Sequence, residues 1–589
     1  METLISCSKV KYSIDARLLF DELSVTISDK DRIALVGYNG AGKTHLLKLL
    51  AGHYKPDDGL IEHVRGLKLE MVSQFIDESL LAMTLLDSIS QKIRSVDEFA
   101  DYKASKALYE LGFTEADFSL PVSALSGGQK TKLMFAMAAI VEPDIILFDE
   151  PSNHLDAGTM KLFEHYLNAR LKCAFIIVSH DRDFLDQVTN QTLFLRDRQL
   201  TGFALPFSAA FAALREKDAA DAERLRAEEK NISRLKESSK RLAEWGKNYD
   251  NEKFARKAKS IEKRVEKLEK AKTRVTAGET YQLTLDSDQI KSKNILQIEK
   301  QHIGYLGAER DNSLFFIEQL YIRPGDRIAL LGNNGAGKST LLHTIVTAYA
   351  QRQGQGGTHR VIPADVTLSP QCSLGFLDQE LSTLPLSQTI FDAVRDNAPD
   401  VDDVTCKKAL IAAGFEYAEF SKRISLLSGG ERSRLLFLIL KINKPNFLIL
   451  DEPTNHLDIF GKIDLETELI RNQITMLVTS HDRAFIDNVA NRFIMISDAK
   501  LEEVSSSQAY YDSIDKDIAT AAAQVKFSST RTPEPPTNAN LSSEEMILDM
   551  IIQLENKLAD DLSRKPKHQK PHKHAQWRNE IKNLYAKLN

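Results

Sequence analysis

Short, nearly unbroken apolar runs alternate with amphipathic stretches along the first two hundred residues, and the same alternation returns some three hundred residues later. RIALV (Arg32–Val36) leads into HLLKLL (His45–Leu50), and RIALL (Arg327–Leu331) leads into TLLHTI (Thr340–Ile345). Further apolar runs end in charge: DIILFDE (Asp144–Glu150) and FLILDE (Phe447–Glu452), then FIIVSHD (Phe175–Asp181) and TMLVTSHD (Thr475–Asp482). A continuous apolar run bounded by turn formers predicts a buried strand, and apolar positions at a period near 3.6 predict a helix. KTKLMFAMAAIV (Lys130–Val141) and RSRLLFLILKIN (Arg432–Asn443) are of the helical kind. Strands alternating with helices predict an α/β architecture, here twice over.

Between the two alternating regions the pattern changes. Residues 207–244 and 252–275 contain no Pro or Gly and carry widely spaced apolar positions such as Ile261, Val265 and Leu268. A narrow apolar stripe suits two antiparallel helices, with WGKNYDN (245–251) predicted as the turn between them. Beyond the second region, SSTRTPEPPTNANLSS has the composition of a disordered spacer. The end of the chain predicts a smaller helical hairpin: Ser542 with Glu545 forms a capping-box pattern, followed by Ile547, Ile551, Leu554 and Leu558. After the turn RKPKHQKPHKH come Trp577, Ile581, Leu584 and Leu588.

The two alternating regions are copies. DEPSNHLD at Asp149 and DEPTNHLD at Asp451 lie 302 residues apart, as do LSGGQ at Leu125 and LSGGE at Leu427. GYNGAGKT at Gly37 and GNNGAGKS at Gly332 are 295 apart, and His180 and His481 are 301 apart. Offsets that stay in register along the chain mean a duplicated domain, with a longer loop after the first motif of the second copy. The predicted organisation is a first domain at 1–205, a helical linker and return segment at 206–293, a second domain at 294–522, a spacer at 523–540 and a terminal hairpin at 541–589. The spans Gln74–Leu125 and Gln379–Leu427 are of similar length, so no large arm is expected in the first copy.

Length and charge sharpen this. At 589 residues the chain exceeds a single core. No apolar run reaches the roughly 18–20 residues that span a bilayer, and the first residues resemble neither a signal nor a transit peptide. Four scattered cysteines show no metal-ligand or disulfide spacing, which fits a reducing, cytoplasmic setting. The net charge of −6 conceals a basic island: residues 230–274 hold 16 Lys/Arg against 7 Asp/Glu. Residues 562–589 hold 8 Lys/Arg and one acid, and there His568, His572 and His574 read as basic surface. Both islands point to anionic partners.

The motifs supply specific chemistry. GYNGAGKT and GNNGAGKS fit G-x-x-x-x-G-K-[ST] between a strand and a helix, the context of a phosphate cradle. Gly37, Asn39, Gly40 and Gly42, with Gly332, Asn334, Gly335 and Gly337, let backbone N–H groups turn inward. Lys43 and Lys338 would reach the β- and γ-phosphates, and Thr44 and Ser339 would place hydroxyls on Mg²⁺. Asp149 and Asp451 end buried strands where they could hold the metal, and Glu150 and Glu452 could polarise an attacking water. Ser126 and Ser428 are N-cap residues whose following glycines, Gly127, Gly128, Gly429 and Gly430, expose amides at a helix start.

Together these motifs resemble the ATP-binding-cassette superfamily across both copies. The resemblance implies ATP held between the phosphate loop of one cassette and the LSGGQ segment of the other. One site would join Lys43, Thr44, Asp149, Glu150 and His180 with Ser428, Gly429 and Gly430. The second would join Lys338, Ser339, Asp451, Glu452 and His481 with Ser126, Gly127 and Gly128. It further implies Gln74 and Gln379 as sensors of Mg²⁺ and the γ-phosphate, His180 and His481 as switch histidines, and Asp156 and Asp458 in the D-loops. Tyr12 and Tyr305 are placed either to stack on adenine or to pack. His45 after the first phosphate loop and Glu431 in the second signature depart from the family pattern, implying two unequal sites.

Two fused cassettes, a long basic helical linker and the phrase D-E-P-[ST]-N-H-L-D in both copies are similar to the ABC-F family. That resemblance implies a monomer closing on itself, binding at the tRNA exit site of the ribosome, and a linker that contacts P-site tRNA and rRNA to modulate translation. Neither DNA nor membrane is implied as a partner. Candidate RNA contacts are Lys240, Arg241, Trp245, Lys247, Tyr249, Lys253, Arg256, Lys257 and Lys259, where cations surround two aromatic rings. The alternatives are an antibiotic-resistance ribosome-protection protein, or a cytosolic cassette ATPase serving a membrane transporter or DNA repair. The short turn favours a housekeeping role.

Overall fold

The computed structural model describes residues 2–513 apart from 15–16, 75, 95–98, 152–156, 249–251, 271, 273–291, 307–310, 334, 355–360, 362–363, 380, 382, 399–400 and 456; beyond these it describes 573–574, 577–578 and 581–582. The first α/β domain contains β1 (Thr3–Ile14), β2 (Arg17–Ser28), β3 (Arg32–Gly37), β4 (Asp58–His63), β5 (Leu69–Val72), β6 (Ile145–Asp149), β7 (Ala174–Val178), β8 (Gln191–Arg196) and β9 (Gln199–Phe203). The second contains β10 (Leu296–Leu306), β11 (Asp311–Ile322), β12 (Arg327–Leu331), β13 (Val366–Leu368), β14 (Leu374–Leu377), β15 (Phe447–Asp451), β16 (Thr475–Thr479), β17 (Arg492–Ser497) and β18 (Lys500–Val504).

Duplication is visible in the strand order. In the first copy a six-stranded sheet runs β5-β6-β7-β3-β8-β9, parallel as far as β8, beside an antiparallel sheet β2-β1-β4. A backbone bond from Asp21 N to Arg198 O, 3.0 Å, links the two. In the second copy the corresponding link is a strand pairing, Phe316 with Lys500, and the strands form one sheet, β13-β10-β11-β18-β17-β12-β16-β15-β14.

The apolar runs become the central strands because both their faces are covered. Along β3, Ala34 and Val36 join a core under the helices Gly127–Ala139 and Ala157–Ala169, while Ile33 and Leu35 join a core under the helix Lys43–Leu50. Every residue of β6 and β7 is buried. Parallel strands place their carboxyl ends on one edge, where ligands of open α/β sheets bind. Gly37, Asp149 and the residues after Val178 all emerge there. The spans between motifs carry matched helices, Leu85–Ile93 and Ala100–Glu110 against Ile390–Asn397 and Asp403–Ala412.

The linker pairs the helices Phe207–Asn248 and Glu252–Lys270. Its root belongs to the first domain, because Phe207, Ala210 and Leu214 are buried in that domain's core and Arg196 grips Asp218 with bonds of 2.7 and 2.9 Å. Along the hairpin Ile232, Ala258 and Val265 are buried and Ser239 Oγ donates to the Ala258 carbonyl at 3.1 Å. The exposed pairs Lys236–Glu269 and Lys272–Glu229, at 2.7 and 2.6 Å, add little to stability.

The turn differs from the sequence reading. Trp245, Gly246 and Lys247 belong to the first helix and not to a seven-residue tip, and the second helix is described over Glu252–Lys270. A helical glycine costs about 1 kcal/mol relative to alanine, which packing along the paired helices outweighs. Tyr249 lies outside the described residues.

Residues 516–589 form a separate unit. Of it, 573–574, 577–578 and 581–582 are helical, with His574 and Trp577 ring centroids 6.2 Å apart and Ile581 buried. The expected spacer, the Ser542 cap and the stripe Ile547–Leu558 lie outside the described residues.

Candidate functional site

Each phosphate-loop motif folds between strand and helix as a left-handed turn. Gly40 and Gly335 have φ of 79° and 81°, and a Cβ on either would meet nothing within 4 Å. Gly42 and Gly337, at φ 98° and 102°, are constrained differently: a Cβ would approach Phe20 at 3.0 Å or Phe315 at 2.9 Å. Only glycine combines that backbone with that fit. Lys43 Nζ donates to the carbonyls of Gly37 and Tyr38 at 2.9 and 3.2 Å, and Lys338 Nζ donates to those of Gly332 and Asn333 at 2.7 and 3.2 Å. Burial pushes both ammonium groups below their ordinary pKa, against the pull of Glu150 and Glu452. Bound phosphates would supply the missing negative charge, so this is a cradle fitted to a polyanion. Asn334 lies outside the described residues.

The acids differ between copies. Thr44 Oγ1 donates to Asp149 at 3.1 Å, whereas Asp451 accepts from Thr479 at 2.6 Å. Burial pushes Asp149 above the usual carboxylate range, opposed by the Thr44 bond. A divalent cation would relieve it, so the hydroxyl–carboxylate pair fits Mg²⁺. Glu150 and Glu452 both sit at positive φ, 52° and 51°, an unusual conformation for a non-glycine residue. Glu150 is bracketed by His180 Nε2 at 3.1 Å and Gln74 Nε2 at 3.4 Å. Burial holds His180 below its usual pKa, against its hydrogen bond to Glu150. His481 Nε2 stands 3.5 Å from Glu452 Oε1, a buried acceptor with no hydrogen-bond partner. Burial raises the Glu452 carboxyl, with His481 opposing.

The signature segments are helix caps in both copies. Ser126 and Gln129 form a reciprocal capping box at 2.9 and 3.3 Å. Ser428 and Glu431 do the same at 2.7 and 3.3 Å, so glutamate replaces glutamine without loss of geometry. Burial acts to raise Glu431, but the Ser428 amide and hydroxyl outweigh it and keep it below its ordinary value.

A cleft of about 1890 Å³ runs between the two domains. It brings together Asn39, Gln74, Glu150 and His180 of the first copy and Gly429 and Gly430 of the second. From the second copy's own set it gathers Gly335, Gly337, Lys338 and Ser339, and further along Gln379, Asp451, Glu452 and His481. Lys43 and Asp149 are buried and do not line it, and Ser126, Gly127, Gly128 and Tyr12 are also absent from its lining. Tyr305 lines the cleft and is 45% exposed. Tyr12 instead stacks with Tyr54 at 6.0 Å and faces His45 at 6.4 Å, which makes an aromatic cluster that the second copy lacks at Thr340.

The domains meet through one pair of motif residues and through others that motif reading leaves out. Asn39 N donates to Asp458 Oδ2 at 2.8 Å, tying the first phosphate loop to the second D-loop; Asp156 lies outside the described residues. Ile459 and Phe460 are buried in the first domain's core, and Phe460 lies 4.5 Å from Tyr38 and 5.9 Å from Phe211 at the root of the linker. Arg182, two residues past the histidine, pairs with Glu466. The counterpart of Arg182 in the second copy, Arg483, lies instead over the Tyr511 ring at 4.7 Å. Glu164, the counterpart of Glu466, is pushed up to about 7 by burial, with Asp181 adding to it. Periodicity marks Phe460, Arg182 and Glu466 only as helix-face positions, which is why sequence reasoning missed them.

On the linker, Lys240, Arg241, Lys247, Lys253, Arg256, Lys257 and Lys259 are placed along the two helices, and the described cations among them are exposed. Trp245 is 52% exposed and meets the edge of Phe254 at 6.3 Å. No helix among the described residues is long and apolar enough to cross a membrane.

A family profile described as ABC transporter matches residues 20–153 and 318–455. The putative ATP-binding protein YdiF of Bacillus subtilis is 30% identical over 550 residues, covering 86% of this chain and 82% of that protein. ABC transporter F family member 5 of Arabidopsis thaliana is 29% identical, covering 86% of this chain and 77% of its own. The ribosome protection protein VmlR of Bacillus subtilis is 28% identical, covering 85% and 88% respectively.

Proposed function

The chain belongs to the ABC-F family of ATP-binding-cassette ATPases, and on that basis we propose that it binds the ribosome at the tRNA exit site in the cytoplasm. In this reading it modulates translation through a linker that contacts P-site tRNA and rRNA. The chain is an ATPase. The observation that carries the reading is the rooting of the linker: Phe211 touches Phe460 of the second domain, so a change at the cassette interface reaches the base of the hairpin.

Within each site, the phosphate-loop amides with Lys43 or Lys338 bind the β- and γ-phosphates. Thr44 with Asp149, and Ser339 with Asp451, would hold Mg²⁺, which would neutralise charge on the transferring phosphoryl group. Glu150 and Glu452 orient and polarise water, and His180 and His481 secure the γ-phosphate side. Gly429 and Gly430, with Gly127 and Gly128, close the sites across the interface. The exposed cations of the hairpin meet RNA phosphates. The basic terminal segment, residues 562–589, adds a second RNA contact.

Two measurements test this. ATP turnover should rise several-fold on adding ribosomes, and not on adding duplex DNA or lipid vesicles; a response to vesicles alone would contradict the partner assignment. Glu431→Gln should lower the KM for ATP by about three- to tenfold at low salt, because it removes one negative charge near bound phosphates. Steady-state kinetics at two ionic strengths would read this, and an unchanged KM would separate the second signature from ATP.

A further inference from the structure

The helix Ile459–Arg471 follows the second D-loop, and Lys462 stands on its first turn. The Lys462 side chain is 8% exposed, and its ammonium makes two bonds of 2.8 Å: one to the backbone carbonyl of His180, in the opposite domain, and one to Asp482 Oδ2. Asp482 directly follows His481 and caps the next helix by accepting from Phe485 N at 2.9 Å. One buried cation therefore joins the backbone beside the first switch histidine to the helix cap beside the second. Around it, Arg182 pairs with Glu466 and comes within 3.9 Å of Asp482, so the domains share a network of fixed charges.

The arrangement is not mirrored in the other direction. Met160 occupies the position of Lys462 in the first copy, and a thioether donates no hydrogen bond. We propose that Lys462 is a positioning residue acting in trans: it fixes the main chain of His180 so that the first site hydrolyses ATP when the second domain is docked, while the second site lacks an equivalent clamp. A ring hydrogen-bonded to Glu150 at 3.1 Å keeps its aim only while its backbone is held. A charge-assisted bond from a buried ammonium to a carbonyl holds that backbone more firmly than a neutral one. Unequal turnover at the two sites follows from one residue.

This rests on His180 acting at the first site, so the experiment carries a control for that reading. Single-turnover ATP hydrolysis is measured in the Glu452→Gln background, where the first site remains competent, and in the Glu150→Gln background, where the second does. Lys462→Met should lower the first-site rate about 10- to 100-fold, the effect expected for losing a charge-assisted hydrogen bond, with the KM for ATP changed less than about threefold. The second-site rate should fall less than the first, because beside the second histidine Lys462 meets the Asp482 side chain and not the His481 main chain. Lys462→Arg should restore most of the loss. Should Lys462→Met not fold, Lys462→Gln, which keeps an N–H donor, should give an intermediate loss at the first site. An unchanged first-site rate would overturn the proposal, and so would equal losses at both sites with a lowered melting temperature. His180→Ala in the same background separates the two readings. If it leaves the rate intact, the histidine's role fails; if it abolishes the rate while Lys462→Met does not, only the trans clamp fails.

Discussion

Replacing Glu150 and Glu452 together by glutamine is expected to cut steady-state ATP hydrolysis by about 10²- to 10⁴-fold, the range forfeited when a positioned general base is removed. Shape should survive, since glutamine is isosteric. Glu150 meets His180 and Gln74, and Glu452 sits 3.5 Å from His481 with one oxygen free of hydrogen bonds. An amide reproduces the volume but cannot take a proton. ATP binding should persist, because the phosphate-loop amides, Lys43 and Lys338 are untouched. The variant should therefore hold ATP without turning it over, which a nucleotide-retention assay beside a phosphate-release assay would show. Undiminished phosphate release would remove both glutamates from the mechanism.

The second large effect concerns the hairpin. Replacing Lys253, Arg256, Lys257 and Lys259 with glutamate should weaken ribosome binding by orders of magnitude at moderate salt. Every RNA phosphate left without its cation should reduce the salt slope of binding by about 0.7–0.9, so four such phosphates should flatten it by roughly 3. These positions lie on the helix Glu252–Lys270, whose buried face carries Ala258 and Val265, so the substitutions spare the helix packing. Basal ATPase should be retained. Ribosome affinity titrated across a salt series checks this, and an unchanged slope would remove these cations from the interface.

The cassette cores and their chemistry were legible because their constraints are local. A phosphate cradle needs glycines at fixed offsets beside a strand end, and Gly37, Lys43 and Thr44 carry that spacing wherever the domain is placed. The unbroken apolar runs of β6 and β7 identify strands covered on both faces. The hairpin was legible from its stripe and its lack of Pro and Gly, but its turn was misplaced. Gly246 reads as a breaker in isolation, and only the pairing of the two helices shows that the first continues to Asn248. The contacts that pack the cassettes together outside the nucleotide motifs were not legible. Phe460 against Tyr38, Arg182 against Glu466 and Lys462 against the His180 carbonyl join residues nearly three hundred or more positions apart. Nothing in the local pattern distinguishes them from ordinary helix-face positions. The asymmetry between copies follows the same rule: Met160 against Lys462 is visible as a substitution, but its consequence depends on what lies across the interface.

The central claim is that ATP-driven closure of the two cassettes delivers the hairpin to ribosomal RNA. It is tested most directly by sedimenting the Glu150→Gln, Glu452→Gln protein with ribosomes at moderate salt, with ATP or with ADP. If closure delivers the hairpin, the protein travels with ribosomes in ATP and stays behind in ADP, with crosslinks from Trp245 to tRNA or rRNA appearing only in ATP. Equal association with both nucleotides, or crosslinks that ignore the nucleotide, would contradict it.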